Sequence, residues 1–321
     1  MTRYLLRRTA FLVLTFAGAL VLIFALLRLL PGDPANALLS GTSTPEQIAA
    51  ARHQVGSDLP LGRQVTTWVG ALARLDLGTS FTSGLDVRAQ LGHRMAVTLP
   101  LTLAAFTLAL LFAVPLGYLA ARHRSSALGL VVSTLSQVGI AVPVFWIGMI
   151  LALVVAVRLR LLPSGGFPAE GWADAAAAVR SLVLPVVTIA LISGASLTRY
   201  VRSATLDVLD SGYVAFARSL GETRTGAMWR HGLRNASVPV ISVAGIELAT
   251  TFIGAVIVEQ VFSLPGLGSM LTTAITQHDY PSIQGVLLVS TALVLVIGFG
   301  ADVLQRVLDP RLRVSLAGAE R

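Results

Sequence analysis

The stretch Val97–Ala121 reads VTLPLTLAAFTLALLFAVPLGYLAA and carries no charged residue. A helix needs about 20 mostly apolar residues to cross the roughly 30 Å hydrocarbon core of a bilayer. This run exceeds that length, so it reads as a membrane-spanning helix. Five further runs on either side have the same character: Phe11–Leu30, Leu128–Val157, Leu182–Leu197, Val238–Phe262 and Ile283–Leu304. The fourth span, Leu182–Leu197, is shorter and less apolar than the rest. The first run is too long for the apolar core of a signal peptide. It is followed by Pro31-Gly32-Asp33-Pro34 and not by a small-residue cleavage site, so it reads as a retained anchor.

The composition agrees. Of 321 residues, 55% are hydrophobic and 12% charged, against about 25% charged in an ordinary soluble domain. The mean hydropathy is +0.77. A soluble globular chain and a disordered one are both excluded. The fold class that follows is an all-α polytopic membrane protein with six transmembrane helices.

Arginine orients the spans. All 24 basic residues are arginine, and the chain contains neither lysine nor cysteine. With the N-terminus inside, fifteen arginines fall in cytoplasmic segments and four outside, once the long first loop is set apart as the positive-inside rule requires. Both termini are therefore expected to be cytoplasmic. The absence of lysine excludes a Walker A phosphate loop and any Schiff-base chemistry. Any ATP that drives this protein must be hydrolysed by another chain. The absence of cysteine excludes disulfides and thiolate zinc sites. His53, His93, His123, His231 and His278 lie on separate loops without metal-ligand spacing, and no Ser-His-Asp arrangement is recognisable. The net charge of +8 belongs to membrane topology and not to nucleic-acid binding.

Two loops are long enough to carry structure. The external loop after the first span, Pro31 to Arg94, looks folded. Thr44-Pro45-Glu46-Gln47 is a capping box with proline at the first helical position, and Gly56 is a stop signal. Val65, Trp68, Val69 and Leu72 then recur on one helical face. These signals divide the chain into an N-terminal segment with the first span (1–30), an external loop subdomain (31–95), a core of five spans (96–313) and a short cytoplasmic tail (314–321).

The cytoplasmic loop Tyr200–Asn235 contains a short amphipathic helix. Asp210 and Ser211 are capping residue types. Tyr213, Phe216, Ala217 and Leu220 follow at i, i+3, i+4 and i+7, and Gly221 ends the pattern. Two turns of helix are marginal alone in water. Its aromatic face must pack either on the protein's own bundle or in a partner's groove. Arg218, Ser219 and Glu222 make the opposite face mixed in charge, unlike the basic face of a membrane-surface helix.

This loop, about 210–236, resembles the EAA loop of ATP-binding-cassette importer permeases, most closely the dipeptide/oligopeptide and nickel branch and its first permease subunit. The resemblance is carried by Gly212-Tyr213-Val214-Ala215-Phe216-Ala217-Arg218-Ser219-Leu220-Gly221 and by His231-Gly232-Leu233-Arg234-Asn235-Ala236. Ala217, Gly221 and Leu233 match the motif. Ala215, His231 and Arg234 stand where it has glutamate, isoleucine and proline. Further partial matches follow in order: Leu30-Pro31-Gly32-Asp33-Pro34, Asp58-Leu59-Pro60-Leu61, Asp76-Leu77-Gly78-Thr79-Ser80, Pro143-Val144-Phe145, Glu259 to Gly268, Asp279-Tyr280-Pro281 and Leu308 to Arg313.

The resemblance implies a permease that forms half of a translocation pathway and works by alternating access. Its implied partners are a second six-helix permease in a heterodimer, two ATPase domains that bind ATP and Mg, an external substrate-binding protein and the bilayer of a bacterial cell membrane. No cofactor is implied for this chain. Short peptides are the implied cargo, with nickel complexes or another small solute as the alternative. The implied ATPase-coupling residues are Tyr213, Phe216, Ala217, Arg218, Leu220, Gly221 and Glu222.

Four residues are candidates for the pathway or its gate. Glu247 lies near the middle of the fifth span, where a charge costs roughly 2.5–3.5 kcal/mol on insertion scales. It either lines the pathway or is satisfied by backbone, serine or another subunit. Glu259, near the external end of that span, is a pathway residue or a structural link to the Pro265-Gly266 turn. Pro143, with Phe145 beside it, interrupts the third span, as Pro115 interrupts the second; each is a packing kink or a gate hinge. Ser193-Gly194-Ala195-Ser196 permits close helix approach. A secondary transporter working alone would show inverted repeats, and none is visible.

Overall fold

The computed structural model describes residues 2–29, 33, 35, 38, 39 and 43–308. The Pro31-Gly32 step and the Asp309–Arg313 motif lie outside the described residues. Among those described the chain is helical, with one isolated bridge, Thr79 to Asp86, and no strand. In chain order the helices are α1 (Thr2–Leu29), α2 (Pro45–Val55), α3 (Leu61–Ala73), α4 (Val87–Arg122), α5 (Ala127–Ala141), α6 (Val144–Leu151), α7 (Ala175–Leu209), α8 (Gly212–Ser219), α9 (Arg224–Ala227), α10 (Leu233–Val261), α11 (Leu267–Thr276) and α12 (Tyr280–Leu308). Two π-helical stretches interrupt them, Ala152–Arg158 after α6 and Met228–Gly232 before α10.

Five helices (α1, α4, α7, α10 and α12) are long and apolar enough to cross a membrane. A sixth span results if the bent pair Ala127–Ala141 and Val144–Arg158 counts as one. This is the all-α polytopic architecture, with one correction to the third span. The run Leu128–Val157 is no continuous helix: its two halves meet at 101° around Val142-Pro143. Val142 is extended at φ −86°, ψ 129°, the conformation that a following proline imposes. Pro115 does not do the same. It sits inside α4, which continues through it to Arg122. The fourth span also exceeds its apolar run. At 35 residues α7 is about 52 Å long, well beyond the roughly 30 Å apolar slab. Its last turns carry Arg199 and Arg202, beyond the apolar run.

The chain divides into two compact units. One comprises Met1–Leu5, Leu99–Leu264 and Val296–Arg321, the other Leu6–Thr98 and Pro265–Leu295. In the first, α7 is the central helix, and its small residues meet three neighbouring helices. Ser193 Oγ is 2.9 Å from Thr251 Oγ1 on α10, and Ser196 Oγ donates to Glu247 at 3.1 Å. Gly194 faces the Ala109 backbone of α4. Ala195 sits so close to Gly139 of α5 that a methyl on Gly139 would lie 2.7 Å from the Ala195 Cβ. Small side chains on both partners let the backbones approach this closely. On the other side of the bend, Gly148 of α6 packs against Phe262.

In the second unit the loop after α1 forms two helices. Thr44 caps α2 through a complete capping box with Gln47, and Gly56 ends it at φ 70°. Trp68 of α3 packs toward a cluster of Ile23, Leu27, Ala274, Tyr280 and Ile283, and its ring lies 5.9 Å from that of Phe24. Val65 and Val69, on the same sequence stripe, stay exposed. The loop that precedes α4 is held by one buried carboxylate. Asp279, just before α12, accepts hydrogen bonds from Ser80 Oγ (2.5 Å), Ser282 Oγ (2.8 Å), the Phe81 N–H (2.9 Å) and Thr82 Oγ1 (3.3 Å). Two motifs that stand 199 residues apart in sequence thus form a single site.

Candidate functional site

The short helix of the arginine-rich loop, α8, is placed by the end of α7. Arg124, in the turn between α4 and α5, pairs with Asp210 at 2.6 Å. Ser211 occupies the N-cap backbone position, but its hydroxyl donates back to the Val208 carbonyl instead of capping α8. The C-terminus is closed by a Schellman motif: the Glu222 N–H reaches the Ala217 carbonyl at 3.2 Å and the Gly221 N–H the Arg218 carbonyl at 3.0 Å. Gly221 stands at φ +94°. That left-handed conformation is open to glycine and costly for a β-branched residue. The stop signal read from the sequence is therefore a defined bend.

The faces of α8 differ from the sequence reading. Tyr213, Phe216, Ala217 and Leu220 were expected to share one stripe. Instead Val214 (1% exposed) and Ala217 (7%) are buried, while Phe216 (66%), Leu220 (72%) and Tyr213 (39%) face outward. At about 100° per residue the two stripes are adjacent, and packing chose the one with the small alanine. Val214 and Ala217 join a cluster with Val208, Ala227, Met228 and Ala236, against which Tyr118 and Leu209 pack. Burying the Val214 side chain contributes about 1.5–2 kcal/mol, enough to hold a helix that is marginal alone. The helix is thus anchored on one side and presents an aromatic and aliphatic face on the other. Arg218 is exposed in its last turn, and Glu222 meets Arg230 (3.4 Å) and His231 (3.3 Å) at its end.

Beyond that cluster lies an apolar cavity of about 810 Å³ between α4, α7, α10 and α12. Phe106, Tyr118, Met228, Trp229, Leu248 and Leu304 are among its walls, and among the described side chains that line it none is charged. The four pathway candidates are not among its walls and are not brought together. Glu247 lies beside two wall residues, Gly245 and Leu248, but accepts the Ser196 hydroxyl. Glu259, twelve residues along α10, is fully buried, and its carbonyl accepts the Leu264 N–H. Pro143 starts α6, and Phe145 is exposed on it. Among the described residues no group of three or more His, Cys, Asp or Glu could hold a metal ion. Sequence reasoning missed Val214, Met228 and Trp229. The i, i+3 spacing of Val214 and Ala217 was the one available signal.

The arrangement is matched along the whole chain by known proteins. The family described as binding-protein-dependent transport system inner membrane component matches residues 113–314, and its N-terminal counterpart matches residues 1–102. The chain belongs to this permease family. It is similar to the di/tripeptide transport system permease protein DppB of Pseudomonas aeruginosa (strain UCBPP-PA14), at 37% identity over 98% of this chain and 99% of that one. It is 33% identical to the oligopeptide transport system permease protein AppB of Bacillus subtilis (strain 168), over 97% and 99%. Identity to the glutathione transport system permease protein GsiC of Salmonella choleraesuis (strain SC-B67) is 34%, over 98% and 99%. The permease is therefore a multi-pass transmembrane subunit of an ATP-binding-cassette importer. It works as a transport subunit within a membrane-embedded complex with other such components.

Proposed function

We propose that this permease forms half of the translocation pathway for short peptides in a bacterial inner membrane, with both termini cytoplasmic. A second, distinct six-helix permease supplies the other half. Two ATPase domains bind ATP and Mg, and an external binding protein delivers the peptide. The observation that carries the reading is the two-faced helix α8: Val214 and Ala217 fasten it to the bundle, while Tyr213, Phe216 and Leu220 remain free for a groove on the ATPase. Arg218, Glu222 and the bend at Gly221 complete this contact. Closure of the ATPases around ATP pushes α8, and the transmembrane halves alternate between inward and outward openings. Peptide cargo is favoured over nickel complexes by the names of the relatives.

Glu247 and Glu259, with Pro143 and Phe145 at the bend, retain a proposed part in the pathway or its gating. The test is co-purification. Phe216→Ala combined with Leu220→Ala, both at exposed positions, should leave the permease inserted at wild-type levels and abolish retention of the ATPase subunits. Retention at wild-type levels would refute the docking face.

A further inference from the structure

The helix that is proposed to receive the stroke shares a wall with the apolar cavity. Met228 packs against Val214 and Ala217 in the buried cluster and also lines the 810 Å³ cavity. Tyr118 and Ala236 do the same from α4 and α10. Met228 opens a π-helical turn, Met228–Gly232, that runs directly into α10. Trp229, next in that turn, lines the cavity and is largely exposed. The backing of the turn is tight: a methyl on Gly232 would lie 2.5 Å from Met228 Sδ and 2.7 Å from Val208 Cγ1.

We propose that the Met228–Gly232 turn is the transmission element of the permease, with Met228 as the positioning residue that converts displacement of α8 into a change of the cavity wall at Trp229. This rests on α8 being the ATPase-docking helix. Close-packed side chains with two discrete arrangements carry coupling between sites, and π-helical turns are frequent where a helix must yield locally. Methionine suits the position because its unbranched thioether fills an irregular gap and can repack without a rotameric clash. Coupling of this kind is reciprocal: whatever occupies the cavity must bias α8 by the same factor.

The experiment uses the assembled importer with Trp229 as its sole tryptophan, Trp68, Trp146, Trp172 and every tryptophan of the partner subunits being replaced by phenylalanine. Emission is compared between the nucleotide-free complex and the complex trapped with ATP and vanadate. The Trp229 spectrum should shift between the two states. Met228→Ala should abolish the shift, and Met228→Leu, which conserves volume, should restore it. Gly232→Ala, which pushes on Met228 without removing it, should abolish the shift as well. A Trp229 spectrum that is the same in both states, or a shift that survives Met228→Ala, would overturn the proposal. A permease that retains no ATPase at all would instead overturn the docking reading, and the inference with it, before any spectrum is taken.

Discussion

Replacing Asp279 should release the loop before α4 while leaving the spans in place. Its carboxylate is the common acceptor for Ser80, Phe81, Thr82 and Ser282. Asp279 itself is buried, as are Ser80 and Ser282, so Asp279→Ala strands the Ser282 hydroxyl, leaves Ser80 only the longer contact to Thr82 Oγ1 at 3.3 Å and frees the Phe81 N–H. At about 1–3 kcal/mol for each stranded donor, and allowing for non-additivity, the loss is about 4 kcal/mol. That corresponds to roughly a thousandfold increase in local opening. Asp279→Asn keeps one oxygen for the Phe81 N–H and turns an amide toward hydroxyls that can accept as well as donate. Its cost should be about 1–2 kcal/mol, roughly tenfold. The assay is amide hydrogen exchange across residues 76–86 in the membrane-inserted protein, with the Phe81 amide as reporter. Unchanged protection in Asp279→Ala would refute the idea that this carboxylate holds the loop. Equal loss in the alanine and asparagine variants would show that the charge, and not the set of acceptors, is what matters.

Three other tests bear on separate residues. Asp33 is pushed up by its partial burial, but the Ala35 N–H, the Ser57 hydroxyl and Arg52 outweigh that and hold its carboxyl below 3.8. The sign follows: its stabilisation of the 33–57 segment is complete above that ordinary value and fades as pH falls through the depressed one, so proteolysis of α2 should rise on acidification and Asp33→Asn should flatten the profile. Gly221→Val forces a β-branched residue to φ +94°, at a cost of about 1–3 kcal/mol; insertion should persist while peptide uptake per ATP collapses, and normal uptake would count against a bend at that position. Glu247→Gln can keep the Ser196 hydrogen bond; reduced uptake with unchanged insertion would support a pathway role, and wild-type uptake would remove it.

What could be read without coordinates was whatever depends on neighbours close in sequence. An apolar run long enough to cross lipid declares its own helix, because no other local structure pairs its backbone there. Thr44 and Gln47 are three residues apart, and Gly221 closes the turn immediately before it, so the cap, the stop and the amphipathic helix between Ser211 and Gly221 were legible. The composition also excluded a Walker A loop, which cannot be built without lysine. The existence and ends of α8 were therefore visible in the sequence, but the burial of Val214 on it was not.

Everything that depends on which surface meets which was decided by tertiary packing. Nothing local distinguishes the stripe through Val214 and Ala217 from the one through Tyr213, Phe216 and Leu220; the crowded cluster around Met228 selects the smaller side chains and leaves the larger ones outside. Pro115 and Pro143 carry the same backbone chemistry, yet one rides within α4 and the other marks a 101° bend, held by Gly139 against Ala195 on one side and Gly148 against Phe262 on the other. The helix α7 continues past Arg199 and Arg202 because length beyond the apolar slab is set by what it packs on, not by hydropathy. Asp279 and Ser80 find each other across 199 residues, a distance over which no periodicity carries information. Contact between remote segments is a property of the folded chain, and it alone joins the helix α8 to the cavity.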